Sequence, residues 1–214
     1  MDGSLSSESS KSKLSHDAVM QFVDAVKHEF DLEGSDKMLN RHLDLPGHIG
    51  QEWGHSYQYT YACQFIRLYA RYIAGESVRV AEVGVQYGRS LRAMRRIIPF
   101  AEIYGFDIAP CRNDTAGAKF IVGDGYTEEA WKDVPNDFDL IIDDGSHRVS
   151  DMLRGIPVFL NHLKPGGILM IEDIPNIAGA KSVMEQLPGS ELVDTRDIGR
   201  SKDDLMVVYM KSDK

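Results

Sequence analysis

An α/β fold, with a doubly wound and mostly parallel sheet of seven strands, is the architecture this 214-residue sequence predicts. Three observations carry it. From Val78 onward, short aliphatic runs alternate with stretches of helical period. The runs are apolar throughout, as in Leu140-Ile-Ile142, which suits strands buried on both faces. Several of them stop abruptly at acids. Asp139-Leu-Ile-Ile-Asp-Asp-Gly-Ser-His147 ends in two carboxylates, a glycine, a hydroxyl and an imidazole, and Gly167-Ile-Leu-Met-Ile-Glu-Asp173 ends in Glu172 and Asp173. In an open α/β sheet, ligands bind just outside such strand ends.

From the N-terminus, residues 1–14 are Ser-rich and nearly free of apolar side chains, so a disordered tail is expected. Ser15 reads as a helix N-cap, with Val19, Phe22, Val23, Val26 and Phe30 after it at helical spacing. Gly34 to Gly54 has little periodicity and is expected to be a loop near the active site. A second helix is expected from about Ser56 to Ala74, with Tyr57, Tyr61, Phe65, Leu68 and Tyr72 on one stripe and Gly75 ending it. Residues 15–77 are expected to form one structural unit with residues 78–214. Over 78–214 the strands are Val78–Val83, Ile103–Ile108, Phe120–Gly123, Asp139–Asp144, Ile168–Asp173, Glu191–Thr195 and Leu205–Met210. Helices fall at Ser90–Ile98, Thr127–Asp133, Ser150–Leu163 and Ala178–Gln186. The last two strands are joined by a polar loop, Arg196–Asp204, with no room for a helix, so they should pair as an antiparallel hairpin.

Composition narrows the function classes. A net charge of −9 argues against nucleic acid as a partner. Arg89, Arg92, Arg95 and Arg96 read as a solvated helix face. Two cysteines make no disulfide framework. No apolar run reaches membrane-spanning length and the N-terminus lacks the apolar core of a secretory signal, so a cytoplasmic protein without membrane contact is expected.

The chemistry-bearing residues gather at strand ends. If the two acid-ended strands are parallel neighbours, their ends lie roughly 5 Å apart. Like charges so placed repel unless a cation or protons neutralise them. Upstream, Glu82-Val-Gly84-Val-Gln-Tyr-Gly88-Arg-Ser90 is a strand end, a glycine-containing loop and a helix start. Gly84 permits a turn and Gly88 a close approach by a ligand. The spacing is not the dinucleotide fingerprint. Glu82 would disfavour a pyrophosphate and welcome a cationic ligand. Asp107, ending the next strand, can accept hydrogen bonds from both ribose hydroxyls. Asp124 in Val122-Gly-Asp-Gly-Tyr126 can accept from an adenine amino group.

This ordered set, from Glu82-x-Gly84-x-x-x-Gly88 through Asp107, Gly123-Asp124 and Asp139–Asp144 to Leu163-Lys-Pro-Gly-Gly167, resembles class I S-adenosylmethionine-dependent methyltransferases. The resemblance implies that Glu82, Gly84, Gly88 and Ser90 line the methionine part of the cofactor, with Asp107 on the ribose and Asp124 near the adenine. Asp144-Gly-Ser-His147 with Glu172-Asp173 narrows it. The pattern is similar to the metal-dependent sugar O-methyltransferases of macrolide biosynthesis, the mycinamicin and macrocin type, and to their cephalosporin-hydroxylase-like relatives. By that resemblance Asp144, Glu172 and Asp173 are ligands of Mg²⁺ (or Mn²⁺), His147 is the general base, and Asp143 supports the site or touches the cofactor. Hard oxygen donors suit such an ion rather than zinc. Upstream, Gly34-Ser-Asp-Lys37 and His55-Ser-Tyr-Gln-Tyr-Thr-Tyr61 resemble a segment preceding the cofactor domain in this group. Asp36, Lys37, His55, Tyr57 and Tyr61 would wall the cofactor or acceptor, or the two tyrosines form a core stripe.

The expected partner is a small molecule bearing a hydroxyl, most simply a sugar, and a homo-oligomer is compatible with this reading. Three alternatives stay open. One is a catechol-type O-methyltransferase, one a protein that holds the cofactor without turnover, and one a dinucleotide oxidoreductase. The plainer alternative for His147 is a loop histidine that only caps the helix starting near Ser150.

Overall fold

The structure, a computed structural model, describes residues 15–33, 56–199 and 203–212. The expected tail, the loop Gly34–Gly54 and the residues Asp36, Lys37 and His55 lie outside the described residues.

Two helices come first, α1 (His16–Glu33) and α2 (Gln58–Ile73). The alternating part runs β1 (Arg79–Val83), α3 (Arg89–Ile97), β2 (Glu102–Asp107), β3 (Lys119–Val122), α4 (Glu128–Trp131), β4 (Phe138–Asp143), α5 (Val149–His162), β5 (Leu163–Ile171), α6 (Ile177–Gln186), β6 (Glu191–Asp194), α7 (Arg196–Gly199) and β7 (Leu205–Met210). The sheet order is β3-β2-β1-β4-β5-β7-β6. Neighbours from β3 to β5 are parallel. The closing pair is antiparallel as expected, and β7 enters antiparallel between β5 and β6. One expectation needs correcting: the connection between those two strands does hold a helix, the single turn α7. It starts against Asp194, whose carboxylate accepts from the Arg196 backbone amide and guanidinium.

The core lies on both faces of the sheet. On one face α1, α2 and α3 cover Val80, Leu140, Ile142, Ile168 and Met170; on the other, Ala81, Val83, Ile141, Leu169 and Ile171 pack with Trp131, Met152, Ile156, Phe159 and Val183. The alternation is the strand period of two. Ser15 caps α1 through its Oγ, which accepts from the Ala18 amide at 3.2 Å. The arginine cluster is only partly a solvated face: Arg89 is exposed, but the other three are engaged with neighbouring elements. Arg92 and Arg96 of α3 pair with Glu29 and Glu33 of α1, and Arg95 bonds backbone carbonyls. These pairs dock α1 onto α3. The aromatic stripe of α2 is core from Tyr57 to Leu68, but Tyr72 is half-exposed and stacks on Phe100. Among the described residues, no helix is long and apolar enough to cross a membrane.

The sheet's carboxyl edge is tied together beyond the strands. The Gly123 amide donates to the Asp107 carbonyl, Gly84 to Phe106, Asp144 to Val83 and Glu172 to Asp143, at 2.8–2.9 Å. Five strand ends therefore present a continuous hydrogen-bonded rim, and the site is built on it.

Candidate active site

A cleft of about 470 Å³ opens along this rim. Its walls include Gly84, Gln86, Asp107, Asp124, Tyr126 and Asp144. On the β2 side, Asp107 is fixed by backbone donors: the Gln86 amide gives to Oδ2 at 2.8 Å and the Ala109 amide to Oδ1 at 2.9 Å. A carboxylate oxygen accepts more than one hydrogen bond, so both can still receive a ligand's hydroxyls. Gln86 holds its position with φ of 47°. Asp124 accepts from the Tyr126 amide at 3.0 Å and from Arg154 Nη1 at 2.8 Å.

Gly84 joins this half to the next. Its φ is 93°, and a Cβ placed there would lie 2.0 Å from the Asp144 carbonyl oxygen. The turn after β1 and the turn after β4 thus cross in direct contact, which only glycine allows.

On the far side of that crossing stand the acids and the imidazole. Ligand atoms of Asp144, His147 and Asp173 all lie within 4.8 Å of one another. His147 Nε2 is 3.3 Å from Asp144 Oδ1 and 3.7 Å from Asp173 Oδ2. His147 and Asp173 both have left-handed backbone, at φ 54° and 52°. Such a conformation costs on the order of 1–3 kcal/mol and persists only where the surroundings over-determine it. The surroundings here are specific. The Tyr57 hydroxyl donates to Asp173 Oδ1 at 3.0 Å, and the Tyr61 hydroxyl to Glu172 Oε1 at 2.6 Å. Both tyrosines are fully buried, and burial, with the facing carboxylates, pushes the Tyr57 phenol far above its ordinary range. It remains a donor.

The sequence-predicted residues separate by depth. Asp144, His147 and Asp173 converge at the rim, and Gly84, Asp107 and Asp124 line the cleft. Glu172 stands beside them but is not in the converging group. It continues the alternation of β5 on the face of Met170, fully buried under α2. Glu82 obeys the same alternation in β1. It is fully buried and accepts from Ser90 Oγ, so these two lie beneath the turn rather than on the cleft wall. Gly88, with φ 69°, caps α3 and faces Cys111 and Arg92. Asp143 points to the opposite face, beneath the β4–α5 turn. Its Oδ1 accepts from the Tyr126 hydroxyl at 2.7 Å and from the Gly145 amide at 3.3 Å. Burial pushes its pKa up to about 7, although the Tyr126 hydrogen bond opposes the rise.

Sequence reasoning missed Tyr126 and Arg154. Tyr126 ends the Asp124 stretch but was given no role there, and Arg154 falls in no motif; both matter because the fold brings α5 against the turn after β3. It left open whether Tyr57 and Tyr61 are core or site. They are both, with rings in the core and hydroxyls on the acids.

Residues 81–174, which span β1 to the end of β5, match the family model of a methyltransferase domain. Among curated proteins, the chain is 33% identical over 110 residues to the mycinamicin VI 2''-O-methyltransferase of Micromonospora griseorubida, covering 46% of this chain and 28% of that protein. It is 29% identical over 186 residues to the demethylmacrocin O-methyltransferase of Streptomyces fradiae, covering 72% of this chain and 45% of that protein. It therefore spans less than half the length of these relatives. Among solved structures, MycE methyltransferase from the mycinamycin biosynthetic pathway, in complex with Mg, SAH and mycinamycin VI, superposes with a TM-score of 0.63 at 21% identity, over 89% of this chain and 54% of that one. The fold is thus the α/β methyltransferase fold, a seven-stranded mixed sheet closed by antiparallel strands.

Proposed function

We propose that this chain is an S-adenosylmethionine-dependent O-methyltransferase that uses Mg²⁺ or Mn²⁺ and acts on a hydroxyl of a sugar or glycosylated small molecule. One observation carries the reading: two carboxylates and an imidazole converge within 4.8 Å at the lip of a cleft whose other wall is the anchored Asp107. The methyltransferase-domain match over 81–174 and the sugar O-methyltransferase relatives support it.

The donor set fits a hard divalent ion. Asp144 and Asp173 offer converging oxygens. Glu172, the third ligand that the resemblance implies, lies outside that converging group, buried beside it with its carboxylate accepting from Tyr61. Such an ion, when bound, lowers the pKa of a nearby hydroxyl and helps orient it. The chain's own residues do the rest. Asp107 receives the ribose hydroxyls of the cofactor and Asp124 faces its adenine end. The Gly84 and Gly88 turns, with Glu82 and Ser90 beneath, shape the methionine end, and Asp143 supports the turn below. His147 accepts the acceptor's proton as its oxygen attacks the sulfonium methyl, and S-adenosylhomocysteine leaves. Much of the acceleration comes from holding the two reactants in line. Because two relatives are named for methylating a rhamnosyl and an olivosyl compound, a glycosylated natural product is the proposed acceptor class.

The test is product analysis by mass spectrometry with S-adenosylmethionine and either a glycosylated macrolide or a catechol, with and without EDTA. The reading expects methylation of the sugar, lost with EDTA and restored by Mg²⁺. Exclusive methylation of the catechol would reassign the acceptor. Full activity in EDTA would remove the metal from the reaction. Tight NADH binding without methyl transfer would overturn the function.

A further inference from the structure

We propose that Tyr126 is a positioning residue: from the wall of the cofactor cleft, its hydroxyl fixes the turn that carries Asp144 and His147. The inference rests on the reading of those two residues as the reacting machinery.

The two amides between Asp144 and His147 are both tied to one small network. The Ser146 amide donates to the Tyr126 hydroxyl oxygen at 2.9 Å. That hydroxyl donates to Asp143 Oδ1 at 2.7 Å, which also accepts from the Gly145 amide. Asp143 is buried, and its Oδ2 has no hydrogen-bond partner among the described residues. Among the described residues, the hydrogen bonds that hold this carboxylate come from the tyrosine hydroxyl and the turn. The fit is tight. A Cβ on Gly145 would lie 2.3 Å from the Tyr126 hydroxyl oxygen. One residue beyond the two tied amides, His147 adopts left-handed backbone.

The ring is held independently of the hydroxyl. It lies against Phe159, under the Arg154 guanidinium and over Gly155. Replacing Tyr126 by Phe keeps those contacts and removes only the network's centre. Tyr126 also lines the cleft with Asp124, whose carboxylate accepts from the Tyr126 amide. One residue therefore ties the adenine end of the cleft to the turn bearing the acid and the base. Neither the methyltransferase-domain match nor the proposed roles of the acids assign it that task.

The experiment is Tyr126→Phe, read three ways. Turnover should fall about 10–100-fold, the usual loss when a group orienting a metal ligand is removed. KM for S-adenosylmethionine and calorimetric affinity for S-adenosylhomocysteine should stay at the wild-type values. Hydrogen exchange of the 145–147 amides should rise while that of β4 does not. A second variant guards the geometry. Gly145→Ala should cost less in the Tyr126→Phe background than alone, because the closest clash is gone, so the two effects are not additive. Unchanged exchange at 145–147 overturns the positioning role whatever the turnover. Equal losses of turnover, cofactor affinity and melting temperature also overturn it, since they describe a merely structural tyrosine. If the wild-type protein methylates nothing, the functional reading fails by itself. Exchange at the turn and Mn²⁺ affinity of the variant then decide the role of Tyr126.

Discussion

Asp107 and Asp173 both stand at the ends of parallel strands of one sheet, yet they are held by different means. Asp107 is gripped by the amides of Gln86 and Ala109, in the turns after β1 and β2. Asp173 is gripped by the hydroxyl of Tyr57, 116 positions earlier, and its neighbour Glu172 by Tyr61, 111 positions earlier. The cofactor half is therefore anchored by the loops at the ends of its own strands. The acid half exists only when α2 lies across the sheet. Backbone donors survive any side-chain substitution, whereas the tyrosine hydroxyls do not. The two halves should accordingly fail differently.

The largest effect should separate chemistry from binding. His147→Ala should lower turnover by about 10²–10⁴-fold, the usual contribution of a general base, and leave S-adenosylhomocysteine affinity in place by calorimetry. Gly84→Ala should break both halves at once. Its Cβ would enter the Asp144 carbonyl at a backbone conformation unfavourable to alanine, so unfolding should show a loss on the order of 3–5 kcal/mol. Asp107→Ala should instead weaken S-adenosylhomocysteine by about 10–100-fold, the worth of hydrogen bonds to a charged group, with turnover at saturating cofactor less affected.

Acidity distinguishes the halves as well. Asp143 has a folded pKa of about 7 against an ordinary value of 3.8, because burial disfavours its charge. The folded state then holds a proton that the unfolded chain has released. The contribution of this group is present below its unfolded pKa and is lost as pH rises through the folded one. Between about pH 5 and pH 7, metal-free wild-type protein should lose on the order of 2 kcal/mol relative to Asp143→Asn, measured by urea unfolding. The smallest effect should come from Tyr57→Phe. Removing one hydroxyl from the buried Asp173 should cost about 1 kcal/mol of stability and measurably weaken Mn²⁺ binding, while cofactor affinity holds.

The same contrast explains what could be read from the chain itself. Strands, their order of acids and the antiparallel close arise from local patterns, since an aliphatic run ending in an acid is visible without its neighbours. The placement of Asp107, Asp144, His147 and Asp173 at strand ends was legible for that reason. Depth was not legible. Glu82 and Glu172 look like rim acids in one dimension, but the strand period turns both under the helices on the same face. The roles of Tyr126, at the end of the Asp124 stretch, and of Arg154 were not legible, because they depend on β4 and α5 packing against the turn after β3. Arg92 and Arg96 of α3 looked solvated because Glu29 and Glu33, their partners, lie 59 to 67 residues earlier.

The convergence of Asp144 and Asp173 on one ion is the claim on which the rest depends. Mn²⁺ titration monitored by electron paramagnetic resonance, with S-adenosylhomocysteine present, tests it in the wild type, Asp144→Asn and Asp173→Asn. The account predicts saturable binding in the wild type and its loss in each variant, with S-adenosylhomocysteine still bound. Mn²⁺ binding that is equally strong in all three proteins would contradict it.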